Sequence, residues 1–390
     1  MNRSRLPKNS QEADTHDAPQ EKFWRAWRWW LAPALVALTL ALCFVDAFIG
    51  DWDGLDYTVL ALRGEPSSMA LGRMLFIYAN HALYGVAHAL FHLQPKDAYL
   101  LFKYSVVAES PLAVIACWIL AHDLTRRREA ATVAALFVAL SPVFVIYSGQ
   151  VMTDVPSVLI VVVALIFYGR GLRKKSLTLM LAGALLLGAG VNVREPAAFF
   201  ALWLLLGPFV YGWRFGRREI FCVALACLVF VLSAFGAFAY LFWMSESYRA
   251  AWNGWRETMS AEAARHPVTV RNLLPFLSFF FLTAPLLVAR LPLALIEEWR
   301  ERRLTPLLAL ALVGLFADLL LFFNYSTAIN IRYFLTGLPA LAPLVADNLM
   351  RSQTLKFQDA RRAFWTIALS IAFITVLMGA FTYLMGTEYQ

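Results

Sequence analysis

The sequence predicts an all-α polytopic membrane protein that crosses a bilayer about eleven times. Three observations carry this. Of the 390 residues, 60% are hydrophobic and only 15% are charged, and mean hydropathy is +0.61, too little polar surface for a soluble domain of this size. Apolar runs of about 20 residues, the length a helix needs to span hydrocarbon, recur from Trp29 onward. The runs lack the two-residue alternation of barrel strands, so helices satisfy the backbone in lipid. Finally, the net charge of +8 is confined largely to short loops between apolar runs. That pattern reads as membrane orientation and argues against nucleic acid as a partner.

Residues 1–28 are expected to be a disordered cytoplasmic tail, because the first 22 are polar and carry no apolar run. Residues 29–390 form a single membrane domain. The first run has no small-residue cleavage site after it and reads as a retained helix. Expected spans are 29–50, 99–121, 130–148, 153–170, 176–192, 196–213, 219–244, 273–295, 304–323, 332–350 and 363–386. With the N-terminus in the cytoplasm, alternation puts Arg126–Arg128, Arg170 with Arg173–Lys175, Arg214 with Arg217–Arg218, Arg300–Arg303 and Arg351–Arg362 on the cytoplasmic side. Every short loop there is basic, as the positive-inside rule requires.

Residues 68–93 are apolar enough to suggest another span. If they crossed, every later basic loop would face outward, and the segment also carries Arg73, Asn80, His81, His88 and His92. It is therefore expected outside, as helices lying in the interface. The outer face then has a first loop at 51–98, a second at 245–272, and short turns at 148–154, 192–195 and 324–333. The four cysteines all lie in apolar segments and read as buried hydrophobes.

Most residues with chemistry to offer lie at this outer boundary. Asp51, Asp53 and Asp56 fall within six residues of the first membrane exit. Three readings stay open: hard ligands for a divalent cation, a general base for an incoming hydroxyl, or a solvated acidic loop. Asp154, before Pro156, suits a helix N-cap or a second site carboxylate. Arg194 and Glu195 are adjacent boundary charges that can pair or snorkel. Arg332 stands among neutral polar residues at the start of a late run, where its guanidinium can fork onto a phosphate or anchor the interface with Tyr333. Glu109 and Asp318 fall inside spans, where an ionised group is costly. His81, His88 and His92 share a helix face but carry no ligand signature, so no metal centre is assigned. With no internal duplication and the polar clusters at one interface, an enzyme acting on a lipid-linked substrate at the lipid–water boundary is favoured over a flippase or transporter.

In order along the chain, DWDGLDYTVLALRGEP, ALYG at 82–85, LSPVFVIYSGQVMTD, NVREPAAFF and NIRYFLTGLPALAPLVA resemble the motifs of the GT-C membrane glycosyltransferases. The resemblance is strongest to the bacterial branch related to protein O-mannosyltransferases and aminoarabinose transferases. It implies a GT-C-like fold and transfer of a sugar from a polyprenyl-phosphate donor to a lipid, glycan or protein acceptor. The expected setting is the outer face of a bacterial inner membrane, amid membrane lipids, with a divalent cation compatible but not required. By position, Asp53 matches the family's base and Asp154 its second-loop aspartate. Asp51 would support the base. Arg332 and Arg194 would hold the donor phosphate, with Tyr333 beside them. The family's usual Glu after the base is Gly54 here, which leaves the base open between Asp53 and Asp56.

Overall fold

The computed structural model describes residues 27–45, 52–68, 71, 73–214, 216–265, 269–300, 304–324, 331–354 and 364–377. Most of the expected N-terminal tail, and Asp51, lie outside them. The helices are α1 (Trp27–Cys43), α2 (Trp52–Arg63), α3 (Met74–Phe91), α4 (Ala98–Thr125), α5 (Arg128–Ala139), α6 (Pro142–Ser148), α7 (Asp154–Lys174) and α8 (Leu177–Val191). There follow α9 (Ala201–Val210), α10 (Arg217–Met244), α11 (Glu246–Arg265), α12 (Leu273–Thr283), α13 (Pro285–Arg300), α14 (Pro306–Asn324), α15 (Leu338–Thr354) and α16 (Phe364–Leu377). Short 3-10 helices at Glu195–Phe200 and Ile331–Leu335 lead into α9 and α15. No strand occurs among the described residues.

Each expected span overlaps a helix or a bent pair of helices. By length and composition, α3, the stretch Pro95–Thr125, α7 and α10 are each able to cross a membrane, and five further apolar helices are shorter. Two expected spans are broken. The run 130–148 bends by 62° between α5 and α6, where Ser141 caps α6 by accepting a hydrogen bond from Phe144 N and Pro142 occupies the first turn. The run 273–295 turns by 103° between α12 and α13, because Ala284 is extended and Pro285 starts a new helix.

The core is a bundle in which α7 packs along α4 and α8, α8 against α10, and α5 against α4 and α15. Small residues bring these backbones together. A Cβ on Gly183 would lie 2.6 Å from Tyr168 N of α7, and one on Gly188 would overlap Ser233 Oγ of α10. α10 itself lies at the rim, with Phe221, Leu232, Tyr240 and Trp243 exposed. That is the expected face toward acyl chains.

α4 has 28 residues and is therefore about 42 Å long, so its two ends mark two poles of the bundle. At its C-terminal end Asp123 pairs with Arg170 Nε at 2.6 Å and Arg173 Nη2 at 3.0 Å. Nearby, Arg127 reaches Asp347 at 3.4 Å, and Arg351 bridges Asp347 at 2.7 Å and Glu298 at 3.4 Å. Basic loops remote in sequence thus gather at one pole. At the other pole, Tyr99 at the start of α4 packs beside Gly54, next to Asp53.

Candidate active site

α2 begins one residue before Asp53, so this carboxylate sits in the first helical turn, where the helix dipole favours an anion. Thr58 donates to Gly54 O at 2.8 Å and stiffens that turn. Asp53 accepts from Arg332 Nη2 at 2.8 Å, and Arg73 Nη1 stands 4.0 Å away. Its side chain is 26% exposed, open enough to meet another molecule.

Arg332 rides on the 3-10 helix Ile331–Leu335 together with Tyr333. The Arg332 guanidinium lies 5.6 Å from the Tyr333 ring centroid and that of Arg194 lies 5.0 Å from it. One ring therefore faces two cations, a favourable contact when water is excluded. Arg332 also lies in the field of Asp154 and Tyr147.

Asp154 opens α7 after the turn 149–153. It does not act as an exposed cap: its side chain is 1% exposed, and Arg194 Nη1 stands 2.5 Å from Oδ1. The same guanidinium nitrogen donates to Thr153 Oγ1 at 3.3 Å. Arg194 is equally buried, and its Nε and Nη2 make no hydrogen bond. The turn carrying it is fixed by Asn192, whose amide donates to Ser233 O at 2.7 Å, and by Leu75 N donating to Asn192 O at 3.1 Å.

The sequence leaves two readings open for Arg194 and Glu195, pairing with each other or snorkelling. The structure shows neither: Glu195 pairs with Arg73 at 3.4 Å and Arg194 with Asp154. In the sequence Arg73 is one of several polar residues in the apolar stretch 68–93. It is nearly buried, stacks on Tyr57 at 5.2 Å, and links Asp53 to Glu195. Its backbone is left-handed, at φ 45, where α3 starts. A left-handed non-glycine residue at a charged cluster is strain of the kind concentrated at functional sites. The usable sequence signal was a lone arginine before an apolar helix.

Asp56, one turn after Asp53, is exposed and makes no direct contact with the arginines. Partial burial and the neighbouring Asp53 charge raise its pKa, against a smaller lowering by Arg73. The histidines of α3 are tied to backbone. His81 Nδ1 donates to Ala61 O at 2.7 Å and His88 Nδ1 to Leu93 O at 2.8 Å, since a carbonyl can only accept. Among the described residues no group of three potential ligands converges on one point.

Phe276 and Phe280 of α12 pack on Phe334, at centroid distances of 5.1 and 5.5 Å, two residues from Arg332. Behind them, the α12–α13 bend opens a groove of about 550 Å³ lined by Leu277, Phe280, Phe281, Leu282 and Val288 with Ser278. Phe280 thus both lines the apolar groove and packs on Phe334, two residues from Arg332.

Residues 74–243 match the family model described as dolichyl-phosphate-mannose-protein mannosyltransferase, just under half of the chain. Among solved structures, the chain is similar to the oligosaccharyltransferase AglB of the archaeon Archaeoglobus fulgidus. The apo form aligns with a TM-score of 0.58 and the complex with an inhibitory peptide and a dolichol-phosphate with 0.55, each at 14% identity over 93% of this chain. The chain spans just over half of that protein, 56% of its length. No curated protein matches it in sequence. The chain therefore has the GT-C fold of integral membrane glycosyltransferases, and residues 74–243 resemble the O-mannosyltransferases within that superfamily.

Proposed function

We propose that this GT-C chain transfers a sugar from a polyprenyl-phosphate donor to a hydroxyl of a lipid, glycan or protein acceptor at the outer membrane face. The observation that carries the reading is the contact between Asp53 and Arg332, which places a half-open carboxylate beside a buried guanidinium. The acceptor oxygen attacks the anomeric carbon, and its proton passes to Asp53. The bond from that carbon to the phosphate oxygen breaks, and the phosphate leaves with the electron pair. Arg332, with Arg73 beside it, bears the developing charge. Asp154 is too buried to meet an acceptor, so its part is to hold Arg194 in place next to Tyr333 and Arg332. Asp56 is the open reserve carboxylate. A divalent cation, if used, would find Asp53 and Asp56 on α2, with Asp51 preceding the helix.

Three further points support this reading. The groove at the α12–α13 bend suits an isoprenoid chain whose phosphate ends at Arg332. The matched family is described by a dolichyl-phosphate sugar, and AglB has been captured with dolichol-phosphate and a peptide. The test is thin-layer analysis after purified protein is incubated with radiolabelled polyprenyl-phosphate sugars and membrane extract as acceptor. A new glycosidic product is expected. Movement of the donor across vesicles without any new product would overturn the reading in favour of a flippase.

A further inference from the structure

Asp318 has no part in the chemistry above, yet it is 1% exposed in the middle of α14, and neither carboxyl oxygen has a hydrogen-bond partner. A buried carboxyl without a donor is costly, and in a membrane helix such a group marks a function by default. Its neighbour shows which one. Both oxygens press on Gly337: any Cβ built there would collide with them. Gly314, one turn earlier on the same face of α14, brings the helices equally close, since its own Cβ would lie 2.7 Å from Ala340 Cβ and 3.1 Å from Gly337 O. The Gly337 carbonyl in turn accepts from Ala340 N at 3.0 Å and begins α15.

Residue 337 is the joint between α15 and the 3-10 helix carrying Arg332 and Tyr333. Phe334, Leu335 and Thr336, which fill the interval, are all buried. The carboxyl of Asp318 therefore occupies the space where a side chain at 337 would be and sets how the chain leaves α15 toward Arg332. We infer that Asp318 is a positioning residue: a wedge against Gly337 that aims the Arg332–Tyr333 segment at the donor phosphate. The inference rests on the proposed function.

The test measures binding of polyprenyl phosphate and of polyprenol, its phosphate-free counterpart, to the full-length purified protein. Gly337→Ala brings a methyl against Asp318. It is expected to weaken polyprenyl phosphate binding about tenfold, equivalent to about 1.4 kcal/mol, while polyprenol binding stays unchanged. Asp318→Ala added to Gly337→Ala makes room and restores most of the loss, the coupling expected of residues in contact and absent between distant, independent sites. Asp318→Asn keeps the shape and binds as wild type. Asp318→Ala alone, which only removes atoms, weakens phosphate binding and keeps the question answerable should Gly337→Ala fail to fold. Equal losses for phosphate and alcohol, or a double variant no better than Gly337→Ala, would overturn the wedge. If the wild type binds polyprenyl phosphate no better than polyprenol, the functional reading itself falls.

Discussion

Arg332 contacts Asp53 across 279 positions of sequence, so a change at either residue alters the other's surroundings. Asp53→Asn keeps the shape and loses the base; turnover should fall by about 10²–10⁴ with insertion and folding intact. Full transfer activity in both Asp53→Asn and Asp56→Asn would remove the base from α2 altogether. Arg332→Lys keeps a charge but loses the planar fork, so donor KM should rise about tenfold or more, measured against donor concentration. The buried Asp154–Arg194 pair behaves differently. Arg194→Met strands a carboxylate and should cost about 3–5 kcal/mol, whereas Asp154→Leu with Arg194→Met recovers much of it, read by thermal unfolding in detergent. For Asp56, a raised pKa means the folded state holds the proton more tightly than the unfolded chain. Its contribution is full below the ordinary aspartate range and is lost as pH rises through the raised value. Asp56→Asn should therefore gain stability relative to wild type as pH rises from acid toward neutral. Asp53, Asp154, Arg194 and Arg332 were legible as single polar residues at the ends of apolar runs. The link from Arg73 to Glu195 was not, because it joins residues 122 apart and no local pattern encodes it.

At the scale of elements, apolar length and basic loops located the helices, but the bends needed geometry. Proline is tolerated inside spanning helices, so Pro285 and Pro292 in one run do not say which of them ends a helix. In the structure the chain turns at Pro285 and continues through Pro292, since only Ala284 leaves the helical region. The close pairing of α7, α8 and α10 was likewise hidden, because a glycine reads the same in a tight crossing and on an open face. Its neighbours separate the two cases. Gly183→Ala on α8 would press on the Tyr168 backbone at 2.6 Å and should lower stability by about 1–3 kcal/mol. Gly236→Ala on α10 meets nothing within 4 Å and should be neutral or raise stability by up to about 1 kcal/mol, since glycine is the poorer helix former. Parallel thermal unfolding of the two variants checks both signs at once.

For the molecule as a whole, the two poles of α4 turn the loop-charge argument into geometry. Asp123 with Arg170 and Arg173 lies at one pole, and Asp53 with Arg73, Arg194 and Arg332 belongs to the other. Alternating helices predict this arrangement only if residues 68–93 do not cross the bilayer. Yet α3, at 18 residues, is itself long and apolar enough to do so. Sequence alone weighs charge against length there, and the charge pattern spans far more of the chain than one helix does. The decision can be read directly from cysteine accessibility in a variant lacking Cys43, Cys117, Cys222 and Cys227. Gly85 on α3 and Gly254 on α11 both have open space where a side chain would begin, so Gly85→Cys and Gly254→Cys should not disturb packing. Lys174→Cys reports the exposed end of α7 at the opposite pole. With α3 outside, a membrane-impermeant maleimide added to sealed cells labels Gly85→Cys and Gly254→Cys and spares Lys174→Cys until the membrane is opened. If α3 crosses, Gly85→Cys is protected in the bilayer, and α7 and α11 exchange sides, so that Lys174→Cys is labelled from outside and Gly254→Cys is not. The second outcome would carry Asp53 and Arg332 to opposite membrane faces, which their 2.8 Å contact does not allow.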